Sequence, residues 1–378
     1  NSQMLESFLK AYEDACAAAD LTPSPGVAAA TGHVLDLRGN VGKMRTQRFT
    51  DVDVPALTSA LQSGHPFEEI DLSFNRLTAK GVAELATFLQ TDSLVRAFSL
   101  AQNDVTSEAI QELCMVLKGN MTLEELSLSG NALGGAGGLA VADLLQSDNN
   151  LKKLRLSNCE LDTESLVALA TVLQANERLA LLDISRSLAA PLMEEATSHF
   201  SRMLKVNATL EELDLSCCGI RDLGLQLLAE ELFRAFDNSR LSVLRLRGNH
   251  IHLVDSACVG ALNNLLSSNS CRLTILTLGG NVLKDEGALK LADILAANSS
   301  LTQLDVSACA MRSRGLCAIG RAIAPNARSI THPKLLSVSL WGNSFDSAAC
   351  LVWQPIMSVL ELDILVQEVD GVFNCVQK

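Results

Sequence analysis

LEELSLSGNAL, residues 123–133, sets leucines at 123, 126, 128 and 133 around a single asparagine, Asn131. Leu126 and Leu128 stand two apart, the period of a strand with one buried face. The same frame returns at 210–220 as LEELDLSCCGI, with Cys218 in the asparagine's place. Aligned on that position, the chain shows eleven copies, at Asn40, Asn75, Asn103, Asn131, Cys159, Ser187, Cys218, Asn249, Asn281, Cys309 and Asn343. The steps between them are 35, 28, 28, 28, 28, 31, 31, 32, 28 and 34 residues. A length of 378 residues would suggest two or three domains, but a period in this range points to one stacked array instead.

After each asparagine position comes a stretch with apolar residues three and four apart, as in GVAELATFLQ (81–90) and ALKLADILAAN (288–298). That is the spacing of a helix face. One strand and one helix cannot bury their apolar faces alone, whereas stacked neighbours can. The template L-x-x-L-x-L-x-x-N/C-x-L is the leucine-rich-repeat signature. The expected fold is therefore α/β: a leucine-rich-repeat solenoid, horseshoe-shaped, with parallel strands on the concave face and helices on the convex face. The array is expected over 31–357. A capping helix and linker precede it at 1–30, where Leu5, Phe8, Leu9 and Tyr12 fall at helical spacing before LTPSPG (21–26). A hairpin or cap follows at 358–378, where DILVQEVDGVFNCV (363–376) alternates around Asp370-Gly371.

Composition narrows the function. With 43 acidic and 30 basic residues the net charge is −13, the wrong sign for a nucleic-acid partner. No apolar run approaches the ~18 residues of a membrane span. The N-terminal stretch carries acids where a secretory signal needs a basic start and an apolar run. The chain opens without methionine, so residues upstream of Asn1 are expected. Eleven cysteines are an odd number without a Cys-x-x-Cys pair, and three replace the repeated asparagine, which reads as reduced thiols. The glycosylation-type strings at Asn120, Asn207 and Asn298 all fall at the helix-to-strand turn, where asparagine suits the backbone.

Catalytic signatures are missing. There is no dinucleotide-binding glycine fingerprint after a strand, no phosphate-loop lysine motif and no His-Glu-x-x-His. GGAGG (134–138) is expected in a repeat loop, without the lysine that a phosphate site needs. His250, His252 and Asp255 form a possible metal trio in another loop, short of a further ligand. The expectation is a protein that is not an enzyme, with no cofactor, no metal, no small-molecule substrate, and no nucleic-acid or membrane partner.

Function then rests on the residues between the inward leucines, which face outward from the strands. Charges there run in alternating blocks: Asp36 and Arg38; Glu69 and Asp71; Glu125; Lys153 and Arg155; Asp183; Glu212 and Asp214; Arg245 and Arg247; Asp305. Ser73, Ser129, Ser157, Ser185, Ser216 and Ser307 make a smooth floor beside them. In VSLWGNSFD (338–346), Trp341 stands where the other copies carry Ser, Ala, Gly or Arg. An exposed tryptophan on a strand is a typical hot spot, so Trp341 expects a covering surface, either a partner protein or the chain's own tail. Glu69, Asp71, Lys153, Arg155, Asp183, Glu212, Asp214, Arg245, Arg247, Asp305 and Trp341 form the candidate partner-binding set. One copy, LDISRSLAAPLMEEATSHFSRMLKVN (182–207), departs from the frame, with Ser187 at the asparagine position and Pro191 before the helix. It reads equally as a binding loop, a bend or simple drift.

The 28-residue type resembles ribonuclease inhibitor and the Ran GTPase-activating proteins in architecture. A more specific likeness lies in LWGNSFDSAACL (340–351), the irregular copy, NCELDTESLVALATVLQANERL (158–179) and the closing VDG. These are similar to segments of the leucine-rich-repeat-containing protein thirty-four family, in the same order. That resemblance implies a non-enzymatic scaffold in the radial spoke of a ciliary or flagellar axoneme, with other spoke subunits as partners. A cytoplasmic or nucleolar location is its alternative. The architectural likenesses imply other readings: a small-GTPase activator working through Arg38, Arg76 or Asn103, or an inhibitor masking a nuclease.

Overall fold

The computed structural model describes residues 2–187, 193–235, 238–324, 335–369 and 372–378. The chain divides into two compact units, 1–188 and 189–378. The loop of the irregular copy around Pro191 and the turn at Asp370-Gly371 lie outside the described residues.

In the first unit six three-residue strands pair in parallel, each with the strand of the next repeat. They are β1 (Val34–Asp36), β2 (Glu69–Asp71), β3 (Ala97–Ser99), β4 (Glu125–Ser127), β5 (Lys153–Arg155) and β6 (Leu181–Asp183). The middle residues Leu35, Ile70, Leu126, Leu154 and Leu182 are fully buried, and their neighbours on either side face outward. Helices α3 (Val54–Gln62), α4 (Ala79–Thr91), α5 (Ser107–Leu117), α6 (Gly134–Gln146) and α7 (Thr163–Leu173) close the repeats. In α4 the buried Val82, Leu85, Ala86 and Leu89 keep the three-and-four spacing that a stacked helix needs.

Two ladders of polar side chains run through this stack. In the first, Asn75 Nδ2 donates to the carbonyls of Leu37 and Leu72 at 2.8 Å each, and its Oδ1 accepts from Phe49 N–H at 2.9 Å. Asn131 repeats the pattern with Leu100 and Leu128 as acceptors and Asn103 and Val105 as donors. These groups are buried, so each bond removes an orphan that would cost about 1–3 kcal/mol. Where cysteine replaces asparagine, the Cys159 thiol donates to Leu128 O at 3.3 Å. Burial pushes that thiol up to about 12, which keeps it a neutral donor. From Asn75 on, the residue before each asparagine of this unit adopts a left-handed backbone, at φ 60° for Phe74, 56° for Gln102 and 73° for Gly130.

The second ladder runs along the helix-to-strand turns. Asn120 Oδ1 accepts from Thr122 and Leu123 N–H, and its Nδ2 reaches back to Leu89 O at 3.0 Å. Asn176 does the same with Arg178, Leu179 and Leu145. The turn that the glycosylation-type strings occupy is therefore one that asparagine closes in both directions. Asp92 fills the position in one copy but has no N–H to give. His65 supplies it from the preceding repeat, Nε2 to Asp92 Oδ1 at 2.9 Å. The ring's Nδ1 accepts from Phe67 N–H at 3.1 Å, which fixes the hydrogen on Nε2.

GGAGG lies in the first turns of α6 and not in a loop, a correction to the sequence reading. Helix geometry wins because Gly138 must be small. A Cβ there would stand 2.6 Å from Ser165 Cβ, on the helix of the next repeat. At the open end α1 (Ser2–Ala18) covers the first repeat with Phe8, Tyr12 and Cys16, a four-residue stripe. Phe8 packs edge-on to Phe67 at 4.9 Å, while Leu5 and Leu9 are only half-buried.

The second unit repeats the scheme. Its parallel strands are β7 (Glu212–Asp214), β8 (Val243–Arg245), β9 (Ile275–Thr277), β10 (Gln303–Asp305), β11 (Ser337–Ser339) and β12 (Glu361–Leu362). The helices are α8 (Met193–Val206), α9 (Asp222–Arg234), α10 (Ser256–Leu266), α11 (Lys284–Ala297), α12 (Ser313–Ile323) and α13 (Ser347–Trp353). Asn249, Asn281 and Asn343 continue the ladder. Strands β13 (Ile364–Val369) and β14 (Val372–Gln377) then pair antiparallel as a hairpin.

Candidate protein-binding face

The strands place the selected charges side by side, and most find partners at once. In the first unit Arg38 lies 2.6 Å from Asp36 and 3.8 Å from Asp71. Lys153 meets Glu125 at 2.5 Å, and Arg155 approaches the same carboxylate at 3.8 Å. One position earlier, Glu124 lies between Arg96 at 3.0 Å and Lys152 at 2.8 Å. Such exposed pairs contribute about 0–1 kcal/mol each. Their role is to match neighbouring repeats more than to hold the fold. Glu69 and Asp183 join no ion pair among the described residues. Asp183 accepts instead from Ser185 N–H at 2.9 Å, as Asp71 does from Ser73 N–H and Oγ.

In the second unit Arg245 donates to Glu212 at 2.7 Å, and Asp214 accepts from Ser216 N–H at 2.8 Å. Arg247 skips a repeat: its Nη1 reaches Asp305 at 2.6 Å and Ser307 Oγ at 2.8 Å. Gly279, in the repeat between, makes that span possible. A Cβ there would stand 2.6 Å from Arg247 Nη1 and 2.5 Å from Asp305 Oδ2. The small floor of the sequence reading is thus a bed for side chains from adjacent copies.

Trp341 is 39 % exposed. Asp363, just past β12, accepts its backbone N–H at 3.1 Å and that of Leu340 at 2.6 Å. Its carbonyl accepts from Ala308 N–H at 2.7 Å. The described part of the tail therefore grips the backbone of this turn and leaves much of the indole at the surface. Trp353 is the opposite case, fully buried with Nε1–H donating to Leu316 O at 3.0 Å.

The His250 loop is held by a carboxylate. Asp222 accepts from the N–H groups of His252, Leu253, Val254 and Asp255 at 2.7–3.2 Å. Asp255 caps α10, accepting from Ala257 and Cys258 N–H. Among the described residues no group of three or more His, Cys, Asp or Glu is placed to hold a metal. Burial pushes the Asp222 carboxyl up, but the four N–H groups outweigh it and hold it below the usual carboxylate value. Its folded value lies below the unfolded one, so its stabilisation is complete above about pH 4 and fades as pH falls through the folded value. The urea-midpoint deficit of Asp222→Asn is therefore expected to be larger at pH 7 than at pH 3. An equal deficit at both would contradict this account.

Comparison with known proteins agrees with the repeats. The family described as Leucine Rich repeat matches residues 65–86, 119–142, 147–170, 206–229 and 269–292. The chain is 32% identical over 160 residues to human NACHT, LRR and PYD domains-containing protein 13, a match that covers 42% of this chain. It spans only 14% of that relative's length. Among solved structures it is similar to one of the yeast Rad7 and Elc1 complex, with TM-score 0.50, 16% identity, and coverage of 83% of this chain and 80% of that one. It is also similar to an internalin from Listeria monocytogenes, with TM-score 0.43, 16% identity, and coverage of 94% and 95%. The Rad7 likeness is one of fold alone. The strand–helix units, the asparagine ladder and the repeat matches together give the chain the fold class of an α/β leucine-rich-repeat solenoid. Such repeats act as protein-binding scaffolds, typically without enzymatic activity.

Proposed function

We propose that the protein is a structural scaffold of a ciliary or flagellar axonemal radial spoke, gripping other spoke subunits on its strand face. The observation that carries the binding reading is Trp341, a large indole at the surface of a floor otherwise made of Ser, Ala, Gly and Arg. The axonemal assignment rests on the resemblance of 340–351 and of the irregular copy to the protein thirty-four family. On this reading 31–357 is the gripping array, and 1–30 and 358–378 are its covers.

The test is affinity purification from ciliated cells with wild type and Trp341→Ala. Radial-spoke subunits are expected with wild type, at least one of them lost with the variant. Trp341→Ala is expected to change stability by less than about 1 kcal/mol, since its backbone anchors at Asp363 remain. Spoke subunits retained equally by both would remove Trp341 from the interface. Unaltered spoke composition in cells lacking the protein would remove the axonemal role.

A further inference from the structure

The first repeat carries a surface that the strand-face reading does not use. A groove of about 630 Å³ opens beside β1. One wall is the short helix α2 (Pro25–Ala28) with Ala29 and Ala30, and the other is the 3-10 turn Gly42–Arg45. Pro25, Ala28, Ala29, Val34 and Met44 give it a small, aliphatic lining, in which Lys43 and Asp36 are the charged residues.

Further cations follow Lys43 along the chain. Lys43, Arg45 and Arg48 are exposed within a run of six residues. Arg76 joins them through the backbone: its N–H donates to Phe49 O at 2.9 Å, and Thr50 and Arg76 form a parallel bridge. Among the described residues none of these four makes an ion pair. Asp36 is paired with Arg38 at 2.6 Å, which leaves Lys43 the uncompensated charge of the lining, whereas Asp53 and Asp51 accept from the neutral Thr50 and Thr78 N–H groups. Lys43, Arg45, Arg48 and Arg76 are thus four cations without an ion pair among the described residues, one of them in the groove lining, in a chain of net charge −13.

We infer that this corner docks an acidic, aliphatic segment of a partner protein. Its carboxylates meet Lys43, Arg45, Arg48 and Arg76, and an aliphatic side chain enters the groove. Charge complementarity selects the sign of the occupant. The lining selects a peptide over a nucleic acid, since it offers methyl and methylene groups and no aromatic face on which a base could stack. The groove is built from residues of the first unit and Trp341 belongs to the second, so the two proposals rest on different residues and are tested by different substitutions.

The experiment is selection from a randomised peptide library displayed on phage, against wild type and against Lys43→Glu/Arg45→Glu/Arg48→Glu. Clones held by wild type and lost by the triple variant are expected to be rich in Asp and Glu around one Leu, Ile or Val. A synthetic peptide of that consensus is expected to bind the triple variant at least about tenfold more weakly, and to weaken with salt. Ala28→Trp, which fills the groove without touching a charge, is expected to weaken the same peptide, whereas Trp341→Ala leaves it unchanged. Thermal melts of both groove variants show whether the fold is kept. Neutral or basic consensus sequences, equal retention by the triple variant, or no enrichment would overturn the proposal. So would tighter binding of a labelled single-stranded RNA oligomer to the same cations.

Discussion

Trp353→Ala is expected to destabilise the second unit by about 3–5 kcal/mol, the range for removing a fully buried tryptophan. Two observations set it at the high end of single substitutions in this chain. The indole is wholly buried against α12, where Gly320 lets α13 come close: a Cβ there would stand 2.6 Å from Val352 Cγ1 and 3.3 Å from both Cε2 and Nε1 of Trp353. Its N–H also satisfies Leu316 O at 3.0 Å. Trp353→Phe keeps much of the volume and loses the bond, so about 1–2 kcal/mol is expected from it. In a stack of repeats the loss spreads through neighbours first. Amide exchange in Trp353→Ala is therefore expected to quicken over α12, β11 and α13 while α5 stays protected. Uniform acceleration along the chain, or a loss below about 1 kcal/mol, would show that Trp353 does not anchor this end.

Asn131→Ala is expected to cost about 2–5 kcal/mol, read as the shift in urea midpoint at constant slope. The substitution strands two buried N–H groups, those of Asn103 and Val105. The carbonyls lose less: Leu100 O keeps Asn103 Nδ2 at 2.9 Å, and Leu128 O keeps the Cys159 thiol. Asn131→Cys is expected to fall between wild type and alanine. The chain itself uses cysteine at Cys159 and Cys309, where a thiol supplies a longer, weaker bond to the preceding repeat. A cysteine variant as damaging as alanine would mean that the ladder acts through the amide alone.

The candidate face was only partly legible in the sequence. Alternation told which charges face outward, because the strand period is two and the leucines between them must be buried. It could not tell which charges answer one another. Arg38 with Asp36 and Asp71, and Lys153 with Glu125, follow once adjacent copies are known to pair in register. Arg247 with Asp305 does not, because it crosses a whole repeat over Gly279. His65 with Asp92 is hidden for a similar reason: a histidine completes a ladder whose asparagine is replaced one copy later. The cations Lys43, Arg45, Arg48 and Arg76 follow no motif, since what sets them apart is that none makes an ion pair among the described residues.

Trp341 and Trp353 mark the division most plainly. Sequence alone settles that the chain is a stack of strand–helix repeats, because a frame present in eleven copies can be buried in few other ways. It settles which position of each repeat turns inward, and that position 341 breaks the row. Only the tertiary structure decides that Trp341 is held by its backbone with the indole partly open, while Trp353 is enclosed. The reason is physical: burial depends on what the neighbouring copies and the tail bring within reach. Gly320 and Asp363 do so across 33 and 22 residues, a distance no local pattern spans.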